Sequence, residues 1–85
     1  MDTPPPEDLL KWIVQSMANQ PDKVEVVLSL TEHSAMFDIH VGDGDFGMIV
    51  GKKGIYADSM RRIFGAIYGK SGRRLNLQVI DPRRR

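Results

Sequence analysis

The residues with the clearest capacity for chemistry form the short stretch Gly51-Lys52-Lys53-Gly54, in which two glycines enclose two lysines. Glycines at this spacing allow a tight turn, and they allow a ligand to contact the main chain directly. If a helix begins at Gly54, the unpaired backbone N–H groups of its first turn and the positive end of its dipole face the same loop. The lysines add positive charge at the tip. The stretch therefore predicts a site for an anion such as phosphate.

Other phosphate and metal motifs do not fit this region. Gly42, Gly44 and Gly47 have the spacing of a dinucleotide-binding loop, but the chain has only 85 residues and a predicted hairpin precedes the loop, which excludes a Rossmann sheet. A calcium-binding loop would need a glutamate at the position of Gly54. A P-loop would need Ser or Thr directly after Lys52.

The charge of the chain is divided at this loop. Residues 1–50 contain two basic and nine acidic residues, a net charge of −7, whereas residues 51–85 contain ten basic and two acidic residues, a net charge of +8. Such asymmetry is typical of proteins that bind nucleic acids or membranes. A merely solvated basic surface is the alternative interpretation.

The composition is that of one small folded domain. With 41% hydrophobic and 27% charged residues, the chain is similar to ordinary folded proteins and has room for one modest core. It contains no cysteine, which excludes disulfides and thiolate chemistry and fits a cytoplasmic location. The sequence shows neither the pattern of a signal peptide nor an apolar run of membrane-spanning length.

Side chains suited to catalysis or metal binding are sparse. Asp38 and His40 would share the solvent face of one predicted strand, but no third ligand or catalytic partner accompanies them. A solvated pair is the simpler interpretation. We therefore expect no enzyme, no metal site and no cofactor.

The first half of the chain predicts a helix followed by a hairpin. Pro6 suits the first position of a helix that extends to about Ala18 and has one apolar side. Residues 24–30 and 35–41 alternate between apolar and polar side chains, and four polar residues join them. This pattern predicts two antiparallel strands.

The second half predicts two helices around the glycine loop and then a third strand. Asp43 or Asp45 is expected to cap a short helix before the loop. A longer helix should begin at Gly54 and end at residues 69–72, and a strand should follow at residues 75–80. The predicted core-facing side of the longer helix consists of Tyr56, Met60, Ile63, Phe64 and Ile67.

These elements predict an α+β fold with the order α-β-β-α-α-β. The two helices between the second and third strands form a crossover long enough to make those strands parallel. The result is a three-stranded mixed sheet with three helices packed on one face. We expect residues 7–81 to form this domain, between an extended segment at residues 1–6 and a basic tail at residues 82–85.

This order, with an apolar pair and a G-x-x-G loop between the crossover helices, resembles a type II KH domain. The specific resemblance is to the KhpA (YlqC) family of small bacterial single-KH-domain RNA-binding proteins, and it extends over residues 7–81. It is carried by Ile49-Val50-Gly51-Lys52-Lys53-Gly54, by Ala57 and Arg61, and by the closing Val79-Ile80-Asp81.

The resemblance implies that the chain binds single-stranded RNA and contacts the sugar–phosphate backbone with its loop. Lys52 and Lys53 would contact phosphates, while apolar residues around the loop would support the bases. Arg73 and Arg74 would close the other side of the groove. The RNA-binding residues implied are Ile49, Val50, Gly51, Lys52, Lys53, Gly54, Ile55, Arg61, Arg62, Arg73 and Arg74.

The resemblance also implies partners and a cellular role. Members of the family are RNA chaperones that pair with a second copy or with a second KH protein, KhpB (also called EloR or Jag), and they are linked to cell elongation and cell-wall homeostasis. Ile55 stands where relatives commonly carry a basic or polar residue, and Asp58 adds a negative charge one turn further on. These two residues predict a modest affinity for RNA.

Two other functions remain open. A KH fold that binds a protein and little or no RNA would account for Asp58, for the acidic segment 42–47 and for Trp12, which lies off the apolar side of its helix. Single-stranded DNA is also a candidate ligand, because contacts to phosphate alone do not detect a 2′-hydroxyl group.

Overall fold

The computed structural model of the chain describes residues 5–83, and its elements follow the predicted order. Along the chain they are α1 (Pro6–Met17), β1 (Glu25–Leu30), β2 (Ser34–His40), α2 (Phe46–Val50), α3 (Ile55–Gly69) and β3 (Arg74–Ile80). Single turns of 3-10 helix occur at Pro21–Lys23 and Lys52–Gly54. The expectations for residues 1–4 and 84–85, an extended start and the end of the basic tail, lie outside the described residues.

The sheet has the predicted mixed topology, with the strand order β1-β2-β3. β1 pairs with β2 in antiparallel fashion, and β2 pairs with β3 in parallel fashion through the crossover formed by α2 and α3. Phe37, at the centre of β2, lies opposite Leu28 on one side and Leu77 on the other. The prediction placed Ser34 in the connection between β1 and β2, but it is the first residue of β2.

The core lies between the sheet and the helices. Ala35, Phe37 and Ile39 are fully buried because alternate residues of a strand point to the same face. The ring of Phe37 makes edge-on contacts with the rings of Phe64 and Tyr68, each with a centroid distance of 5.8 Å. Such edge-to-face pairs stabilise the core beyond the burial of their area. The predicted α+β architecture is therefore confirmed.

The first helix begins and ends where the sequence predicts. Pro6 occupies its first turn, where the missing N–H removes no helical hydrogen bond. Leu10 and Val14 are completely buried, and the backbone becomes extended at Ala18. Trp12 lies on the opposite side, with 65% of its surface exposed.

The predicted orientation of α3 is wrong for two residues. Its buried side chains are Ala57, Met60, Phe64 and Tyr68. At 3.6 residues per turn, Tyr56 and Ile63 lie about a quarter turn from the centre of that stripe, and both are about half exposed. The helix carries apolar residues on two sides, so its sequence alone does not determine which side faces the sheet.

The expected capping role of Asp45 is also wrong. Asp45 precedes α2 but makes no side-chain cap to it. Its carboxylate instead accepts hydrogen bonds from the backbone N–H groups of Asn19 (3.2 Å) and Gln20 (2.9 Å), just beyond α1. Asp45 is 1% exposed, and these two bonds satisfy it in the interior. The residue therefore joins the end of α1 to the start of α2.

Candidate nucleic-acid interface

The glycine loop, residues 51–54, has an unusual backbone. Gly51, Lys53 and Gly54 all have positive φ angles, of 86°, 57° and 77°. The left-handed region costs a residue with a side chain roughly 1–2 kcal/mol, which Lys53 bears. The turn is closed by a hydrogen bond of 2.9 Å from the N–H of Gly54 to the carbonyl of Gly51. The loop thus holds both lysine side chains at the tip of a strained turn.

The two glycines are required for different reasons. A Cβ atom on Gly51 would lie 2.6 Å from Cδ2 of Tyr56 and 2.9 Å from its backbone nitrogen, so the position has no space for a side chain. A Cβ atom on Gly54 would meet no atom within 4 Å, so only the positive φ favours glycine there. The ring of Tyr56 therefore packs against the start of the loop.

The first turn of α3 opens directly onto this loop. Gly54 is the residue before the helix, and no side chain caps the N-terminus of α3. The N–H of Ile55 is bonded to the carbonyl of Lys52, but the other N–H groups of a first helical turn have no partner within the helix, and the helix dipole is positive at this end. Both features favour an anion at the loop, as the sequence predicts.

A surface cleft of about 700 Å³ lies beside the loop and α3. It is lined by Lys52, Lys53, Ile55, Asp58, Ser59 and Arg62. We call it the lysine cleft. Neither Lys52 nor Lys53 takes part in an ion pair among residues 5–83, so both charges are available to a ligand. Ile55 is 56% exposed and gives the cleft an apolar surface between its charged walls. The cleft can therefore hold phosphate and support an apolar group beside it.

Arg61 is engaged within the protein. Its Nη1 donates to Oδ1 of Asp58 at 2.7 Å, and its Nε donates to the carbonyl oxygen of Leu77 in β3 at 3.0 Å. The side chains of Arg61 and Asp58 are 45% and 60% exposed, so this surface ion pair contributes little to stability. Its effect is positional, because it holds Asp58 at the wall of the lysine cleft.

A second depression, of about 370 Å³, lies on the other side of Arg61 along the free edge of β3. It is lined by Met36, Arg61, Leu75, Asn76, Leu77 and Gln78. The depression combines apolar side chains with two amides. The ion pair of Arg61 and Asp58 therefore lies between this edge and the lysine cleft.

The structure brings together only part of the predicted RNA-binding set. Lys52, Lys53, Ile55 and Arg62 line one cleft, and Arg61 lies beside it. Ile49 is completely buried, so it packs α2 onto the core and cannot contact a base itself. Val50, which follows it, is half-buried.

Arg73 and Arg74 lie at the other end of α3, about 20 Å from the glycine loop by the length of the helix. Arg73 donates from Nε to the carbonyl of Thr31 at 2.9 Å and from Nη1 to Ser71 at 3.2 Å. The backbone N–H of Arg74 donates to the carbonyl of His33. Both residues thus hold the turn between β1 and β2, and only the exposed side chain of Arg74 is free to extend a groove.

Sequence reasoning missed the exposure of Tyr56 beside the loop, because its spacing from Met60 and Phe64 suggested the core. Its ring is 49% exposed and covers Gly51. The signal that was available is its place directly after the loop, where an exposed aromatic ring offers a surface for stacking a base.

Features of other site classes are not found in the described residues. Residues 5–83 contain no group of three or more side chains placed to hold a metal ion. Within the same residues, no helix is both long and apolar enough to cross a membrane.

Comparison with known proteins agrees with the fold. A family profile described as "KhpA/KhpB, KH domain" matches residues 7–79. Proteins named RNA-binding protein KhpA are similar along nearly their whole length. That of Borreliella burgdorferi is 31% identical over 87% of this chain and 90% of its own.

Two further relatives carry the same name. The protein of Halalkalibacterium halodurans is 32% identical over 86% of this chain and 96% of its own. The protein of Listeria monocytogenes is 27% identical over 88% of this chain and 99% of its own. No solved structure matches the chain with comparable significance.

Proposed function

The chain belongs to the KhpA/KhpB KH-domain family, a family of RNA-binding domains and not of enzymes, and from this premise we propose that its glycine loop binds the backbone of single-stranded RNA. Phosphates occupy the lysine cleft, where Lys52, Lys53 and Arg62 neutralise them. The exposed surfaces of Ile55 and Tyr56 support the attached nucleotides. The protein acts in this way as an RNA chaperone in the cytoplasm.

The observation that carries the proposal is the conformation of the loop. Three positive φ angles within four residues place both lysines beside the uncapped N-terminus of α3. Backbone N–H groups, the helix dipole and two side-chain charges therefore act on one small volume. Such contacts recognise phosphate without reading base sequence. A chaperone needs this kind of binding, because it must hold many RNA sequences and release them.

Photo-crosslinking tests the location of the RNA. The purified protein is crosslinked to a short unstructured RNA, and the crosslinked peptides are identified by mass spectrometry. We expect crosslinks in residues 50–62, with Tyr56 prominent because its exposed ring can stack on a base. Crosslinks confined to Trp12, which is the more exposed aromatic residue, would contradict the proposal.

We further propose that the protein acts as a pair, with a second copy or with a second KH protein of the KhpB type, in cell elongation and cell-wall homeostasis. Ile63 is about half exposed on α3, and Ile67, one turn further along the same side of the helix, is partly exposed. An apolar helix face of this kind is suited to another protein. Two loops in one assembly would raise the affinity for RNA without new contacts, because the second loop binds at high effective concentration.

Sedimentation of Ile63→Asp tests this pairing. A carboxylate in the middle of the apolar side should leave the chain monomeric at concentrations where the unsubstituted protein sediments as a dimer. Trp12→Asp is the matched control, since it adds the same charge to an exposed apolar site on α1. A dimer that survives Ile63→Asp but not Trp12→Asp would place the contact on α1 instead.

A protein-binding role without RNA is the second candidate, and the exposed Trp12 favours it. An exposed tryptophan on a helix is a frequent anchor in protein interfaces. This alternative predicts that Trp12→Ala disrupts a complex in cells while no RNA crosslinks to the protein. Detection of RNA bound to the purified chain at micromolar concentration would exclude it.

A further inference from the structure

Asp58 is the acidic side chain in a cleft whose other charges are positive. It lines the lysine cleft with Lys52, Lys53 and Arg62, and 60% of its side chain is exposed. A carboxylate in this position repels phosphate, so it does not help to bind the backbone. A ligand group that donates a hydrogen bond would suit this carboxylate better than a phosphate does.

The carboxylate is held in a fixed position. Oδ1 accepts from Nη1 of Arg61 at 2.7 Å, and Nε of the same arginine is fixed by the carbonyl of Leu77 at 3.0 Å. Oδ2 makes no hydrogen bond within residues 5–83. One oxygen is thus anchored through Arg61 to the sheet, and the other is available as an acceptor.

In RNA, the ribose 2′-hydroxyl is the hydrogen-bond donor covalently closest to the backbone phosphates. Asp58 lies four residues, about 6 Å along the helix axis, beyond Gly54, and the sugars are attached directly to the phosphates that the loop holds. An ionised carboxylate only accepts hydrogen bonds, and the 2′-hydroxyl is a donor that DNA lacks. An acidic side chain that binds a ribose hydroxyl near a helix N-terminus occupied by phosphate also occurs in dinucleotide sites.

We propose that Asp58 accepts a hydrogen bond from a ribose 2′-hydroxyl and so makes the lysine cleft select RNA over single-stranded DNA. The inference rests on the proposed function, since it requires phosphates in that cleft. Asp58 is then a specificity-determining residue, and Arg61 is the residue that positions it.

The test compares three oligonucleotides of one sequence: RNA, DNA and RNA with 2′-fluoro groups, which cannot donate a hydrogen bond. We expect the unsubstituted protein to bind RNA on the order of tenfold more tightly than the other two, equivalent to about 1.4 kcal/mol. Asp58→Ala should reduce this ratio to about one, chiefly by improving the binding of DNA, because the repulsion of phosphate is relieved.

Glu25→Gln is the matched control. It makes the same change in net charge at an exposed position of β1, outside the cleft, and should keep the tenfold ratio. Thermal melting of each variant checks that it is folded, which is expected because both side chains are exposed.

Four results would overturn the inference, and they are distinguishable. Equal binding of RNA and DNA by the unsubstituted protein contradicts it but leaves the proposed function intact. If Asp58→Ala raises the affinity for all three oligonucleotides equally and leaves the ratio of RNA to DNA affinity unchanged, the effect of Asp58 is electrostatic only. In a second titration with oligo(C) and oligo(U) RNA, a base preference that Asp58→Ala changes, with no preference between sugars, shows that the carboxylate contacts a base. Absence of binding to every ligand contradicts the proposed function itself.

Discussion

At the scale of single residues, the glycine loop depends on backbone conformations that few side chains tolerate. Gly51 and Gly54 have similar positive φ angles, but only Gly51 is covered, by the ring of Tyr56. The two positions therefore differ in how they should respond to the same substitution.

We predict that Gly51→Ala lowers the free energy of unfolding by about 3 kcal/mol, because the added methyl group clashes with Tyr56 in a conformation already unfavourable for alanine. Gly54→Ala should cost about 1 kcal/mol, since it meets only the conformational penalty. Urea unfolding followed by circular dichroism measures both values.

Gly44→Ala is the control for these substitutions. Gly44 has a φ of 93° and open space around it, as Gly54 has, but it lies in the acidic segment before α2. Gly44→Ala should likewise lower the free energy of unfolding by about 1 kcal/mol, without a change in RNA affinity. A cost for Gly51→Ala no larger than that for Gly54→Ala would show that Tyr56 does not constrain the loop.

At the scale of elements, the position of the loop depends on how α2 is attached to the rest of the domain. Asp45 makes that attachment by accepting two backbone hydrogen bonds from the segment after α1. The contact joins residues that are 25 and 26 positions apart in the chain, so it fixes α2 independently of the short helix itself.

Asp45→Asn should therefore lower the free energy of unfolding by about 2 kcal/mol, because the amide nitrogen would face a backbone N–H in a buried site. Asp43→Asn, at a neighbouring exposed position, should change it by less than about 0.5 kcal/mol. Equal effects of the two substitutions in urea unfolding would contradict the role given to Asp45.

The packing of α3 on the sheet should also affect how the stability of the protein changes at alkaline pH. Burial raises the pKa of Tyr68 above its ordinary value of 10.0, the charge of Glu7 raises this pKa further, and Arg73 partly opposes both. Because the folded state resists deprotonation more than the unfolded state, stability is unaffected below about pH 10 and falls as the pH rises through the folded pKa.

Tyr68→Phe should remove that part of the decline, as measured by melting temperature between pH 9 and pH 11.5. Tyr56→Phe removes a hydroxyl from a half-exposed tyrosine and should leave the decline in place. An alkaline decline that is identical in Tyr68→Phe and the unsubstituted protein would show that this hydroxyl is not involved.

The elements themselves could be predicted because their signals are local. The alternation of apolar and polar side chains predicts β1 and β2, and the length of the crossover predicts that β3 pairs with β2 in parallel fashion. The glycines at positions 51 and 54 indicate the loop. The buried side of α3 could not be predicted, because Tyr56 and Ile63 are as apolar as the residues that face the sheet. The partners of Asp45 and Arg61 depend on tertiary contacts between distant segments, which local patterns do not contain.

At the scale of the whole molecule, the acidic and basic halves of the sequence form different elements of the fold. The acidic half supplies α1 and the antiparallel strands, while the basic half supplies the loop, α3 and β3. Phosphate is thus repelled from one part of the domain and attracted to another. The separation favours binding of a strand along α3.

Binding of phosphate by Lys52 and Lys53 should appear in the salt dependence of RNA affinity. With Arg62, these lysines give about three phosphate contacts, so the slope of log K against log salt concentration should be about −2 for single-stranded RNA. Lys52→Asp with Lys53→Asp should abolish measurable binding. Lys11→Asp with Lys23→Asp makes the same change in net charge at exposed positions in the acidic half and should keep the slope near −2. An unchanged slope and affinity after charge reversal at Lys52 and Lys53 would show that these lysines do not bind phosphate.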